Sequence, residues 1–208
     1  MKRETLQRLV RFLIKHLTHT EFIHLENIPA EGAVILAINH MSHIDTPVLF
    51  VNPRRPDITA LVTTKYQANA FVKFFTNIAG GIWINRDIAD FTAIRKASEV
   101  LAKGRALGIA PEGTRSQTGQ MQEGKPGTVM LALKTGAPIV PVALTGTEDA
   151  LEKLMHLRRP HITATFGEPF TLPEFQPHHR SEVLQRWTGI LMRKIAAMLP
   201  EKYRGIYS

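Results

Sequence analysis

The chain has no cysteine among its 208 residues. That excludes disulfides, thiolate metal sites and a cysteine nucleophile outright. No apolar stretch approaches the roughly 20 residues needed to cross a bilayer as a helix. The opening Met-Lys-Arg-Glu-Thr-Leu lacks the continuous apolar core of a secretory signal. The serine nucleophile elbow, Gly-x-Ser-x-Gly, is missing as well. Gly119 to Lys125 has the glycine and lysine spacing of a phosphate-binding loop, but Pro126 stands where a serine or threonine should hold magnesium. Repeats, low-complexity segments and linkers are also absent, so the chain reads as one domain.

What remains is ordinary in bulk except for charge. Hydrophobic residues make up 44% and charged residues 21%, as in a soluble globular protein. The net charge of +8 favours anionic partners: nucleic acid, an anionic membrane surface or phosphorylated substrates. Part of that charge sits in residues 1–24, an N-terminal element set apart from a domain over 25–208. Here Leu6, Leu9, Val10, Leu13, Ile14 and Leu17 repeat at helical spacing, with Arg8, Arg11 and Lys15 mostly off the stripe. Two readings fit this basic amphipathic helix. Its apolar face packs on the domain, or it lies on anionic lipid. The doublets Arg54-Arg55 and Arg158-Arg159 are likewise either lipid-phosphate contacts or solvated charges.

From Ala33 onward, short apolar runs alternate with helical patterns. Strands are expected at Ala33 to Ile38, Ile58 to Thr63, Ile82 to Ile84, Ala106 to Ala110, Ile139 to Leu144 and His161 to Phe166. Helices are expected from Ser42, through Phe71, Phe74 and Phe75, from Ala89 to Lys103, from Thr128 to Lys134 and from Ser181 to Leu199. Gly104 and Gly136 are natural helix stops. Such alternation predicts an α/β fold, a mostly parallel sheet flanked by helices.

The expected strand ends carry the chemistry, where ligands gather in open α/β sheets. Asn39-His-Met-Ser-His-Ile-Asp45 follows the first strand and holds a histidine with a carboxylate five positions on. A histidine and an acid that fixes its tautomer make a base able to activate a hydroxyl. Ser42 to Asp45 also matches a helix capping box, and the two roles are compatible. His43 adds a third donor for zinc, but no fourth ligand or helical histidine spacing is present, so no metal is assigned. Arg86 and Arg115 end later segments and suit a phosphate, which arginine binds bidentately. Without an elbow or cysteine, direct attack by a substrate hydroxyl is the simpler route.

Four blocks stand in order: Asn39-His40-x-Ser42-x-x-Asp45, Gly81 to Arg86, Pro111-Glu112-Gly113-Thr114-Arg115 and Val140-Pro141-Val142. Together they resemble the glycerolipid acyltransferase family, in its 1-acyl-glycerol-3-phosphate (lysophosphatidate) type, over about residues 25–170. The resemblance implies His40 as general base and Asp45 as its orienting partner. It implies a head-group site of Arg86, Glu112, Gly113, Thr114, Arg115 and Lys125, with Pro141 shaping the wall. The implied donor is a fatty acyl thioester on coenzyme A or acyl carrier protein, with no other cofactor. The implied acceptor is a lysophospholipid in an anionic membrane, approached from its cytoplasmic face by a peripheral protein. Ala110 and Asn85 depart from the family pattern, where a large apolar residue and an acid are usual. Those departures leave open acceptors such as glycerol 3-phosphate, another lysophospholipid or an amino-acid lipid. Phe71, Phe74 and Phe75 either line an acyl groove or pack as core. A non-catalytic module for nucleic acid or other anions fits less well, because the arginines fall beside a His–Asp pair rather than in one aromatic-interleaved stripe.

Overall fold

The most apolar run, Val34–Ile38, is buried at every position, as a strand covered on both faces must be. Its alternate residues feed two cores. Ile35 and Ala37 join one cluster and Val34, Leu36 and Ile38 the other, on opposite faces. The computed structural model describes residues 1–88, 90–173 and 180–208.

In chain order the elements are α1 (Arg3–Leu17), β1 (His19–Ile23), β2 (Val34–Ile38), α2 (Asp45–Phe50), β3 (Thr59–Thr63), α3 (Ala70–Ala79), β4 (Ile82–Ile84), α4 (Phe91–Ala102), β5 (Ala106–Ile109), α5 (Gly127–Thr135), β6 (Ile139–Thr145), α6 (Ala150–Met155), β7 (His161–Phe166), α7 (Arg180–Ala197) and α8 (Glu201–Arg204). Among the described residues the strands form one sheet in the order β1-β7-β6-β2-β5-β3-β4. The pairs β6–β2, β2–β5, β5–β3 and β3–β4 are parallel, whereas β7 runs antiparallel to β6. Because β1 pairs parallel with β7, these two strands oppose the other five. Helices α4, α5 and α7 cover one face. Helices α1, α2 and α6 contribute Ile14, Val48, Leu49 and Leu154 to the other. The expected α/β fold is what forms.

Local chemistry explains the helix limits. Asn69 accepts the Val72 N–H to start α3, and Asp90 accepts the Ala93 N–H to start α4. Gly80 and Gly136 close α3 and α5 in the left-handed conformation. Ala89, the expected start of α4, lies outside the described residues.

Three expectations shift. The helical N-terminal element ends at Leu17, and residues 19–23 form an edge strand of the sheet. Helix α1 also packs on the domain: Leu6 and Gln7 are buried, and Arg3 donates to the carbonyls of Ala79 and Ile58. Leu9, Phe12, Leu13 and Leu17 nevertheless stay exposed. Arg55 is not a surface charge. It is 2% exposed and donates to Asp57, Pro29 O and Gly104 O. No described helix is long and apolar enough to cross a membrane.

Candidate active site

The site grows from the end of β2. Asn39 donates to the Leu144 carbonyl (3.0 Å) and accepts the Leu144 N–H (2.7 Å), so its side chain adds a rung that ties the turn to β6. The next residue, His40, is then aimed by the helix that follows. Asp45 opens α2, is fully buried, and places Oδ2 2.8 Å from His40 Nδ1. The same oxygen accepts the N–H groups of Met41 and Ser42, each at 2.8 Å. The orienting and capping readings of Asp45 therefore coincide on one atom. The helix proper starts at Asp45, with Ser42 one turn earlier accepting the Ile44 N–H. A carboxylate on Nδ1 holds the proton there and leaves Nε2 as the basic atom.

The loop after β5 buttresses this turn from behind. Glu112 is 2% exposed; Oε1 accepts the His40 N–H (3.1 Å) and Oε2 the Gln122 N–H (2.9 Å). Ser116 N–H donates to the His40 carbonyl (2.8 Å), so both peptide groups of His40 are held by one loop. Burial pushes the Glu112 carboxyl above its usual range, against the pull of those two N–H groups and of His40. Gly108, within β5, lets Leu49 of α2 pack close: a Cβ there would lie 2.8 Å from the leucine side chain.

A cavity of about 990 Å³ opens in front of His40. Its walls are mostly apolar, from Leu9 and Leu13 of α1 to Phe71 and Phe75 of α3. Arg86 and Lys125 bring the cationic groups. Arg86 is half-buried, and that burial lowers its pKa. Neither cation has a carboxylate partner among the described residues, which leaves both for an anionic ligand. Gly113 has a φ of +70°, and a Cβ there would come 3.1 Å from Lys125 Cδ, so glycine lets the lysine stem fold across the loop. His43 lines the cavity too, edge-on to Tyr66 with ring centroids 5.5 Å apart. Burial, then Arg115 and His40, depress its imidazole pKa.

A family model described as Acyltransferase matches residues 19–145, more than half of the chain. The chain belongs to this acyltransferase family. The 1-acyl-sn-glycerol-3-phosphate acyltransferase of Borreliella burgdorferi is 36% identical over 126 residues, covering 60% of this chain and 50% of the relative. That of Bacillus subtilis is 25% identical over 170 residues, covering 82% and 83%. Among solved structures, the 1-acyl-sn-glycerophosphate acyltransferase of Thermotoga maritima superposes with a TM-score of 0.70 at 22% identity, over 94% of this chain and 79% of that one. The last likeness is one of fold. Some relatives are longer: the chain spans half of the Borreliella protein and 35% of a coconut relative.

Within this acyltransferase domain, the structure gathers His40, Arg86, Gly113 and Lys125 at one cavity, with Asp45 behind His40. Glu112 does not face the cavity; its two oxygens hold backbone. Thr114 and Arg115 are exposed and outside the cavity lining. Phe71 and Phe75 line the wall, whereas Phe74 does not. Sequence reading gave no role to Asn39, Tyr66 or the β6 end. The signal available for Asn39 was its place at the close of a buried strand, where an amide can extend the ladder.

Proposed function

We propose that the protein transfers a fatty acyl group from an acyl thioester to the free hydroxyl of 1-acyl-glycerol-3-phosphate, giving phosphatidate. The observation that carries this reading is a histidine with Nδ1 held by a buried carboxylate, facing a largely apolar cavity with two cations that have no carboxylate partner among the described residues. His40 Nε2 takes the proton of the acceptor hydroxyl as its oxygen bonds to the thioester carbonyl carbon. Asp45 stabilises the imidazolium so formed. The tetrahedral intermediate then expels the thiolate, which leaves as the free thiol with the proton returned by His40. Atoms balance without a further cofactor, and the donor thiol is that of coenzyme A or acyl carrier protein. Arg86 and Lys125 bind the acceptor phosphate, and the apolar walls take the acyl chains.

A lipid acceptor and a lipid product place this reaction at a membrane. The apolar side chains exposed on α1 (Leu9, Phe12, Leu13, Leu17) and α3 (Phe71, Phe74), beside the cations Arg8, Arg11 and Lys15, support peripheral binding to an anionic, cytoplasmic surface. The departures at Asn85 and Ala110 make the acceptor the part to test first.

Purified protein should release free thiol from acyl-coenzyme A or acyl carrier protein only when lysophosphatidate is supplied. His40→Ala should lower that rate by about 10²–10⁴ while keeping the fold. No release with either donor across a panel of lysolipids overturns the reading.

A further inference from the structure

The reversal of β7 and β1 has a chemical result. Their first residues, His161 and His19, come to the sheet edge at which β2, β5 and β6 end, the edge that carries His40. With strands about 4.8 Å apart, β7 lies about 10 Å from the line of β2. At this edge a separate cavity of about 390 Å³ opens between α1 and β1, lined by Arg11, Lys15, His19 and Arg159 with Ile14 and Phe22. None of the four cationic or imidazole residues has a part in the acyl transfer described above.

We propose that this pocket binds the phosphate of an anionic phospholipid in the leaflet that supplies the acceptor. The inference rests on the membrane reading made above and goes beyond it, from a general attraction to a built site. Three observations support it. First, the cations converge in a concavity that no carboxylate lines among the described residues. Second, Arg159 is fixed in place: one amino group donates to Lys15 O (3.0 Å) and Thr18 O (2.7 Å), leaving Nε and Nη1 without protein partners among the described residues. A guanidinium held in advance loses little freedom when it grips a phosphate. Third, α1 separates two unlike flanks. Arg11 and Lys15 line the basic pocket, while Leu9 and Leu13 line the catalytic cavity. Exposed Phe12 and Leu17 complete, with Leu9 and Leu13, an apolar ridge on the same helix for the tails of a bound phospholipid. A free phosphate ion would make no use of that ridge.

The histidines give the site a pH signature. The rings of His19 and His161 stack with centroids 4.7 Å apart. Desolvation, then Arg159 and His161, hold the His19 pKa below its ordinary value. Charged and titratable groups around His19 are Arg11 and Lys15 on α1, Arg159 before β7 and the stacked His161, with Arg158, Arg54 and Glu21 adjoining the lining residues in sequence. Glu21, two residues along the same strand face, is exposed. A bound phosphate offsets the crowding of cations and favours imidazolium, so binding should tighten as pH falls.

The test is co-sedimentation of the intact protein with phosphatidylcholine vesicles, pure or mixed with phosphatidylglycerol, between about pH 8 and about pH 6. Wild type should bind the mixed vesicles, more tightly at the lower pH. The double variant His19→Asn/His161→Asn should lose that pH dependence. Lys15→Gln should weaken binding about tenfold or more. Arg8→Gln, on α1 but outside the pocket, should cost about fivefold. Thiol release measured in detergent micelles should stay unchanged in the His19→Asn/His161→Asn variant, which separates the pocket from catalysis. If wild type binds mixed vesicles but the pocket variants match Arg8→Gln and keep the pH dependence, the pocket proposal falls and the membrane reading stands. If wild type binds neither vesicle, both fall. Displacement of the protein from vesicles by dilute inorganic phosphate would overturn the lipid assignment in favour of a free-phosphate site.

Discussion

Two buried carboxylates meet at His40, one from each of two turns, and they do different work. Asp45 belongs to the turn after β2 and bonds the imidazole itself. Glu112 belongs to the loop after β5 and bonds only backbone, one oxygen to His40 N–H and the other to Gln122 N–H. Asp45 concentrates three donors on Oδ2 and leaves Oδ1 buried without a partner among the described residues. That asymmetry suits a group whose demand rises when the imidazole becomes charged. Glu112 divides its acceptors evenly and joins two stretches of chain. In the proposed mechanism one acid adjusts the base electronically, and the other fixes where the base stands.

Substitution should pull the pair apart. Asp45→Asn places an amide on Nδ1 and disturbs the tautomer, so kcat should fall by on the order of 10³–10⁴, comparable with loss of the carboxylate from a catalytic triad. A variant that lost only stability would reduce Asp45 to a helix cap. Glu112→Gln should act first on the fold. Its amide can accept one N–H but presents a donor to the other, costing about 1–3 kcal/mol in melting experiments. Its effect on activity should follow the displaced turn and appear in kcat for every acceptor alike. A selective rise in the KM for lysophosphatidate, with stability unchanged, would instead make Glu112 a substrate contact.

The same residue gives a pH test. Its raised pKa means that the native state keeps this proton to higher pH than the unfolded chain does. Stability from this group is full below the ordinary glutamate range and is lost as pH climbs through the raised value. The difference in melting temperature between wild type and Glu112→Gln should vary over that window and level off on either side. The smallest effect belongs to Thr114, exposed on the same loop: Thr114→Ala should change stability by no more than about 0.5 kcal/mol.

Much of the architecture is legible in the chain because buried parallel strands are nearly all apolar and helices stop at glycine. Val34–Ile38 and Ile139–Thr145 announce themselves in this way. His–Thr–Glu–Phe–Ile of β1 does not. Its exposure alternates at a sheet edge, so it lacks a continuous apolar run. Six-residue α6 is too short to establish a helical period. At the site, the partnership of His40 and Asp45 is local in sequence and could be read from spacing. The partners of Glu112 are backbone groups 72 and 10 positions away, and those of Asn39 are 105 positions away. Backbone donors carry no residue-type signature, so a motif reading naturally gave Glu112 to the substrate. The exposure of Thr114 and Arg115 had the same origin: adjacency in a motif does not decide which side chains turn inward.

The reciprocal bond between Asn39 and Leu144 has a consequence for motion. It ties the turn that carries His40 to the end of β6, a buried central strand of the sheet. The Leu144 amide should therefore exchange with solvent on the timescale of global unfolding. On the proposed reaction, the breathing that admits a one-tailed acceptor and releases a two-tailed product would come from the opposite wall, where few residues of α1 and α3 are buried. In that mechanism the base stays still, and the door is hung on the helices.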